Sequence, residues 1–266
     1  MTSTQPDTNE PTLVPTQVGA ERMILQDVNS PDDMISRHHG RDYWQSANAD
    51  INGMLGGICS IDGFSHISKI DLHGSRSFLA KLGIGVKHGR CPVINILEGG
   101  AGIGRVTEGL LIHVGASIDV IEPVQKFTAQ LEDTHGVRTI FNVGLEDWQP
   151  NPEVKYDLIW TQWCLGHLTD KQLVHYLEQC KVALNNDDGL VIIKENTSTS
   201  GVDVFDSIDS SITREDRKFK KLFREAGFHV VKKETQRGFP ARFPRRLFPV
   251  QMYALRPDLD FPVSRQ

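Results

Sequence analysis

From about residue 92 onward, apolar positions fall into short continuous runs separated by amphipathic stretches. Pro92-Val-Ile-Asn-Ile-Leu97 feeds a group of glycines and reads as a buried strand. Similar runs predict strands at Ser117–Ile121, Thr139–Val143, Tyr156–Trp160, Leu190–Ile193, Phe228–Glu234 and Val250–Leu255. Between them the spacing turns helical. Ile103–His113 carries Val106, Leu110 and Leu111, and Phe127–Thr134 is helical in character. Lys171–Leu184 carries Leu173, Tyr176, Leu177 and Cys180 on one face, and Arg214–Ala226 is amphipathic, with Gly227 as its C-cap. Upstream, Tyr43–Leu82 reads as helical with a glycine-rich break at Gly53–Gly57. Residues 1–30 are rich in Thr, Pro, Gln, Ser and Asn without an aromatic, a composition that does not bury enough surface to order itself.

Strands alternating with helices imply parallel βαβ units. The last two strands are joined by Gly238–Pro249, whose prolines leave no room for a helix, so they form an antiparallel pair at the sheet edge. The chain is α/β. Seven strands in a mostly parallel sheet with an antiparallel last strand is the layout of the class I methyltransferase fold, here with an N-terminal helical cap over the mouth of the sheet. The expected divisions are a disordered acidic leader (1–36), the helical cap (37–90), a Rossmann-like domain (91–257) and a C-terminal tail (258–266).

Charge sharpens these boundaries. The 266 residues carry a formal net charge of -5. Asp7, Glu10, Glu21, Asp27, Asp32 and Asp33 stand against Arg22 alone within 1–36, so the leader holds the whole acidic excess. The neutral body argues against a uniformly basic nucleic-acid binder. No apolar run approaches the ~20 residues of a membrane helix, and the start lacks the pattern of a secretory signal. Cys59, Cys91, Cys164 and Cys180 form no CxxC pair and read as free thiols of a reducing compartment. The expected location is the cytoplasm, with the nucleus as a second compartment. Neither HExxH nor a Cys/His cluster is present, so no metal site is expected.

Glu98-Gly-Gly-Ala-Gly-Ile-Gly-Arg105 is the first chemical signal. Glycines there let the backbone reach φ > 0 and let a ligand approach a helix N-terminus. Such turns also serve merely to pack strand against helix. Glu122 ends the second strand, where an acid can accept both hydroxyls of a ribose, and a nicotinamide cofactor remains open at this point. Gly144-Leu145-Glu146-Asp147 after the third strand would suit an adenine.

Several strings coincide beyond this. They are Gly100-Ala-Gly-Ile-Gly-Arg105, Trp163-Cys-Leu-Gly-His-Leu-Thr-Asp170, Ile193-Lys-Glu-Asn196, Asp209-Ser-Ser-Ile-Thr-Arg214 and Met252-Tyr-Ala-Leu255, with Tyr43-Trp44 and Gly53-Met-Leu-Gly-Gly57 upstream. Together they resemble the alpha N-terminal protein methyltransferases, over about residues 40 to 257. The resemblance implies S-adenosyl-L-methionine as cofactor. It places Gly100, Gly102 and Arg105 at the methionine end, Glu122 at the ribose, Leu145 with Glu146 at the adenine, and Gln162 at the carboxyl edge of the sheet. It implies protein N-termini of the X-Pro-Lys type as substrates, with ribosomal proteins among the candidates, and a monomeric enzyme. His167 and Asp209 match the family's proton acceptors, and Asn196 would hold the first residues of the substrate. Asp206 and Ser211, with Asp209, would receive a cationic third side chain. Trp163 would offer a flat face to the proline, and Trp44 would close the site from the cap. A small-molecule N-methyltransferase on the same scaffold is the alternative.

Three departures stand out. Glu98 replaces the family's usual Asp, and Asn52 replaces an Asp in the cap loop, removing a charge near the peptide channel. The segment 238–249 adds Arg242, Arg245 and Arg246. Residues 212–250 hold 12 bases and 4 acids. A basic rim balanced by acids elsewhere is the favoured reading of that stretch, and a ribosome or RNA contact the less favoured one.

Overall fold

A computed structural model describes residues 30–185, 188–240 and 247–258. In chain order the elements are α1 (Arg37–Ser46), α2 (Ile51–Met54), α3 (Ile67–Lys81), β1 (Val93–Gly99), α4 (Arg105–Gly109), β2 (Gly115–Ile121), α5 (Gln125–Thr128), β3 (Val137–Phe141) and β4 (Leu158–Gln162). There follow α6 (Asp170–Ala183), β5 (Leu190–Asn196), β6 (Val204–Asp206), β7 (Ser211–Thr213), α7 (Asp216–Glu225), β8 (Phe228–Thr235) and β9 (Val250–Pro257). Most of the acidic leader and of the tail, and Arg242, Arg245 and Arg246, lie outside the described residues.

The main sheet has the order β3-β2-β1-β4-β5-β9-β8. β9 runs antiparallel to both neighbours, and the remaining pairs are parallel. The chain leaves β1 toward one edge and returns at β4 to build the other half. The switch point therefore lies between β1 and β4, where the carboxyl ends of α/β strands hold ligands.

Alternation along the strands feeds two cores. Leu97, Ile159, Val191 and Tyr253 face α6 and α7, packing against Tyr176, Leu177, Phe219 and Phe223. Ile96, Val120, Trp160 and Ile192 face the other way and pack with Phe78 and Leu79 of α3 and with Leu110 and Leu111. The upstream helical region thus divides. α3 covers a face of the sheet, while α1 and α2 stand at its mouth.

Several boundaries differ from the sequence pattern for local reasons. The helix expected over 103–113 breaks after Gly109, whose carbonyl accepts from Arg76 Nη2 at 2.6 Å; a 3₁₀ turn at Leu111–His113 follows. The helix expected over 127–134 is the single turn α5, succeeded by turns. β3 sits two residues early: the Asn142 side-chain amide takes the Glu122 carbonyl, which would otherwise continue the ladder, and also donates to Thr128 Oγ1. β4 starts two residues late, because the Asp157 carboxylate takes the Ile94 and Asn95 N–H groups. Arg214 precedes α7 and is fully buried. α6 opens with a capping box of Thr169 and Gln172, worth about 1 kcal/mol. The ribbon β6–β7 lies where no strands were expected, and it is central to the site.

Candidate active site

Two clefts, with about 1080 and 1310 Å³ of space open to solvent, meet at the carboxyl edge of β1 and β4. Trp44, Met54, Trp163 and His167 line both.

The first cleft is built on the turn after β1. Gly100 and Gly102 have φ of +69° and +55°. A Cβ on Gly100 would fall 2.6 Å from Cys164 Cβ and Sγ, so the backbone there lies where no side chain fits. Glu122 is 7% exposed and accepts the Gly102 and Val124 N–H groups at 2.9 Å each. Burial raises its pKa, and these two bonds oppose the rise. One bond to each oxygen leaves acceptor capacity facing the cleft. Glu98 is 2% exposed, receives Thr107 Oγ1 at 2.5 Å, and is pushed up to about 8 by burial.

Of the other residues named for this cleft, Arg105, Glu146 and Gln162 line it. Arg105 Nη1 bonds Asp71 Oδ2 at 2.8 Å, and its guanidinium lies 5.3 Å from the Trp163 ring centre. Gln162 Nε2 also donates to Asp71, and its Oε1 accepts from Trp160 Nε1 at 3.2 Å. Glu146 is held by Arg37 Nε at 2.8 Å and Arg41 Nη2 at 3.2 Å, which brings α1 across the rim. Leu145 does not stand among the lining residues; its side chain is packed in the core. An acid with free acceptor capacity, a cation, a buried second acid and a glycine cradle suit S-adenosylmethionine. The ribose would fall to Glu122, the carboxylate to Arg105 and the amino group to Glu98.

The second cleft gathers Asn196, Asp206, Asp209 and Ser211, together with Tyr43, Glu195, Phe239 and Leu247. The β6–β7 ribbon pairs Asp206 with Ser211 and carries Asp209 in its connecting turn. Asp209 is thus a turn residue, its Oδ1 accepting the Ser211 N–H at 3.1 Å, and Asp206 Oδ1 accepts the Ile208 N–H at 2.9 Å. Burial raises the Asp206 carboxyl, and the neighbouring Asp209 adds to that. Two half-buried acids with spare oxygens make a receptor for a cation.

Trp163 separates the two clefts. It has φ +55°, a conformation that costs a bulky residue roughly 1–3 kcal/mol and is retained where the surroundings over-determine it. Its amide is tied to the Lys194 carbonyl at 3.1 Å, and its indole N–H is buried without a partner among the described residues. His167 ends the 3₁₀ turn Leu165–His167. Its Nε2 accepts from Trp44 Nε1 at 2.9 Å and lies 4.0 Å from Asp209 Oδ2. An indole N–H only donates, so the imidazole is neutral with its proton on Nδ1. Burial lowers the His167 pKa below its ordinary value, and Asp209 opposes that.

Sequence reasoning missed Asp71, Lys194, Glu195 and Arg214. The clue was Lys194-Glu195 continuing a strand of four apolar residues, an unusual place for two charges. Asn52 does not line either cleft. Its Nδ2 bonds Ser60 Oγ at 2.9 Å, so the Asp-to-Asn departure at this position takes no charge from the wall of either cleft. Four of the five bases of α7 have acid partners: Arg217 with Glu215, Lys218 with Asp170, Lys220 with Asp216 and Lys221 with Glu225. Among the described residues, no group of three or more His, Cys, Asp or Glu is placed to hold a metal, and no helix is long and apolar enough to cross a membrane.

The chain is similar to known proteins over most of its length. Residues 32–256 match the model of the AdoMet dependent proline di-methyltransferases. An alpha N-terminal protein methyltransferase 1 of Schizosaccharomyces pombe is 42% identical over 218 residues, 81% of this chain and 94% of the relative. An N-terminal Xaa-Pro-Lys N-methyltransferase 1 of Danio rerio is 36% identical over 219 residues, 80% of this chain and 92% of the relative. A solved SAM-dependent methyltransferase of Leishmania major is 34% identical, covers 82% of each chain and superposes with a TM-score of 0.71.

Proposed function

Because the chain belongs to the family of AdoMet dependent proline di-methyltransferases, we propose that its joined clefts hold a methyl donor and a protein N-terminus on either side of Trp163 and His167. The protein is an S-adenosylmethionine-dependent N-terminal methyltransferase acting on Xaa-Pro-Lys termini. The observation that carries the site reading is the junction of a glycine-cradled cleft with an acidic one at a neutral imidazole.

When bound, S-adenosylmethionine supplies an electrophilic methyl group. The chain's residues must deliver a neutral amine to it. An α-amine has a pKa of ~7.7–8.0 and enters mostly protonated at neutral pH. His167 is held unprotonated at Nε2, and Asp209 lies beside it to steady the imidazolium once a proton arrives. The Asn196 amide orients the first peptide unit. Asp206, Asp209 and Ser211 fix the third side chain, and so set how far the amine reaches. Trp163 presents a flat face to the proline. Placing donor and acceptor in line is the larger part of the rate effect.

The test is incubation of the purified protein with methyl-labelled cofactor and peptides beginning Pro-Pro-Lys or Ser-Pro-Lys, read by mass spectrometry. Label on the α-amine is the expected result. Unmodified peptides, with a metabolite panel labelled instead, would reject the substrate assignment.

A further inference from the structure

Asp71 of α3 is completely buried, and donors from three elements converge on its carboxylate. Lys194 of β5 approaches Oδ1 at 2.5 Å, Arg105 at the start of α4 bonds Oδ2 at 2.8 Å, and Gln162 at the end of β4 reaches both oxygens at 3.1 and 3.0 Å. Lys194 is equally buried. Its ammonium also reaches the Asp71 carbonyl at 3.1 Å, Ser75 Oγ at 2.8 Å and Gln236 Oε1 at 2.8 Å. Gln236 is itself fixed, because its Nε2 donates to the carbonyls of Ile70 and Arg237.

A buried ion pair is weak evidence for stability, since an apolar pair of similar volume often serves as well. The arrangement has a different consequence. One acid and two bases leave one surplus positive charge. Of the three, Arg105 lines the first cleft and Asp71 and Lys194 do not. The Arg105 Nη1 is committed to Asp71, while Nε and Nη2 make no hydrogen bond among the described residues. Its plane is backed by the Trp163 ring. We infer that the buried Asp71–Lys194 pair is a positioning device that aims Arg105, so that the first cleft selects a ligand bearing a carboxylate at its far end from the nucleoside. This rests on the first cleft being the methyl donor's site.

Binding measurements on the full chain test it with two probes. S-Adenosylhomocysteine carries the amino acid end; 5′-methylthioadenosine lacks it. The reference variant is Arg105→Ala. Asp71→Asn alone strands a buried lysine and can fail to fold, so the working variant is Asp71→Asn/Lys194→Met, which removes both charges together. In that double variant, S-adenosylhomocysteine should bind at least tenfold more weakly and 5′-methylthioadenosine within twofold of the parent. Equal loss for both probes, or no loss for either, overturns the inference, the former by reducing the pair to a structural role. If Arg105→Ala leaves the preference for S-adenosylhomocysteine intact, the reading of the cleft itself fails. If Arg105→Ala abolishes that preference and the double variant does not, only the positioning role falls.

Discussion

The indole N–H of Trp44 donates to Nε2 of His167 at 2.9 Å, so the basic nitrogen at the junction of the clefts is capped by a residue of α1. A protonated Nε2 would face another donor. Burial already holds the His167 pKa below its ordinary value, with Asp209 opposing it, and the facing donor disfavours the imidazolium further. Trp44→Phe removes the competing donor, and the His167 pKa should rise toward its ordinary value. The base must be unprotonated to act, so the acid limb of kcat/KM should move to higher pH. An NMR titration of the His167 ring should show the same displacement. An unchanged ring pKa in Trp44→Phe would reject the capping argument.

Asp206 and Asp209 are expected to act on one cation. Charge-assisted hydrogen bonds contribute roughly 1.5–3 kcal/mol, so replacing the substrate's third lysine by norleucine should raise KM by about tenfold or more. Asp206→Asn should produce a similar rise with the lysine peptide and little further change with the norleucine peptide. A double-mutant cycle over residue and peptide measures that non-additivity. Independent effects of the two changes would place the lysine elsewhere.

The alternation of apolar runs, and the proline-broken link before Val250, made the sheet legible down to its antiparallel β9. Short-range pattern reports burial, and here burial follows strand order closely. The boundaries it misplaced are those where a side chain takes a backbone bond, as Asp157 does at β4 and Asn142 at β3. The ribbon β6–β7 was invisible because its strands are three residues each and only partly buried, which leaves no period to detect. Family resemblance nonetheless points to Asp206, Asp209 and Ser211 without that ribbon. Resemblance includes Lys194 in one of its strings but gives neither it nor Asp71 a role. Their partnership spans 123 residues of sequence and exists only once α3 lies on the sheet.

Gly100 offers a steric test of the first cleft. Its φ of +69° already disfavours a side chain, and a Cβ there would overlap Cys164 at 2.6 Å. Gly100→Ala should weaken S-adenosylhomocysteine binding by at least tenfold. The fold should survive, because the strain is confined to a turn at the edge of the sheet. Parental affinity would mean that the turn does not approach the ligand.

Glu98 links the same cleft to pH. Its carboxyl is pushed up to about 8 in the folded chain by burial, against an ordinary value of 4.5. Between those values the folded state binds a proton that the unfolded state has released, so the ligand-free protein should lose stability as pH rises from about 5 to 8. Each unit of that window corresponds to about 1.4 kcal/mol. Glu98→Gln keeps the shape and the acceptor for Thr107 but does not ionise. Its melting temperature should therefore fall less steeply across this range and exceed the parent's at pH 8 by several degrees. A cation placed beside Glu98 favours the carboxylate, so S-adenosylhomocysteine should release a proton on binding at pH 7. Calorimetry in two buffers of different ionisation enthalpy measures that release, and Glu98→Gln should abolish it. Parallel melting curves for parent and variant would show that the buried acid is already ionised in the free protein.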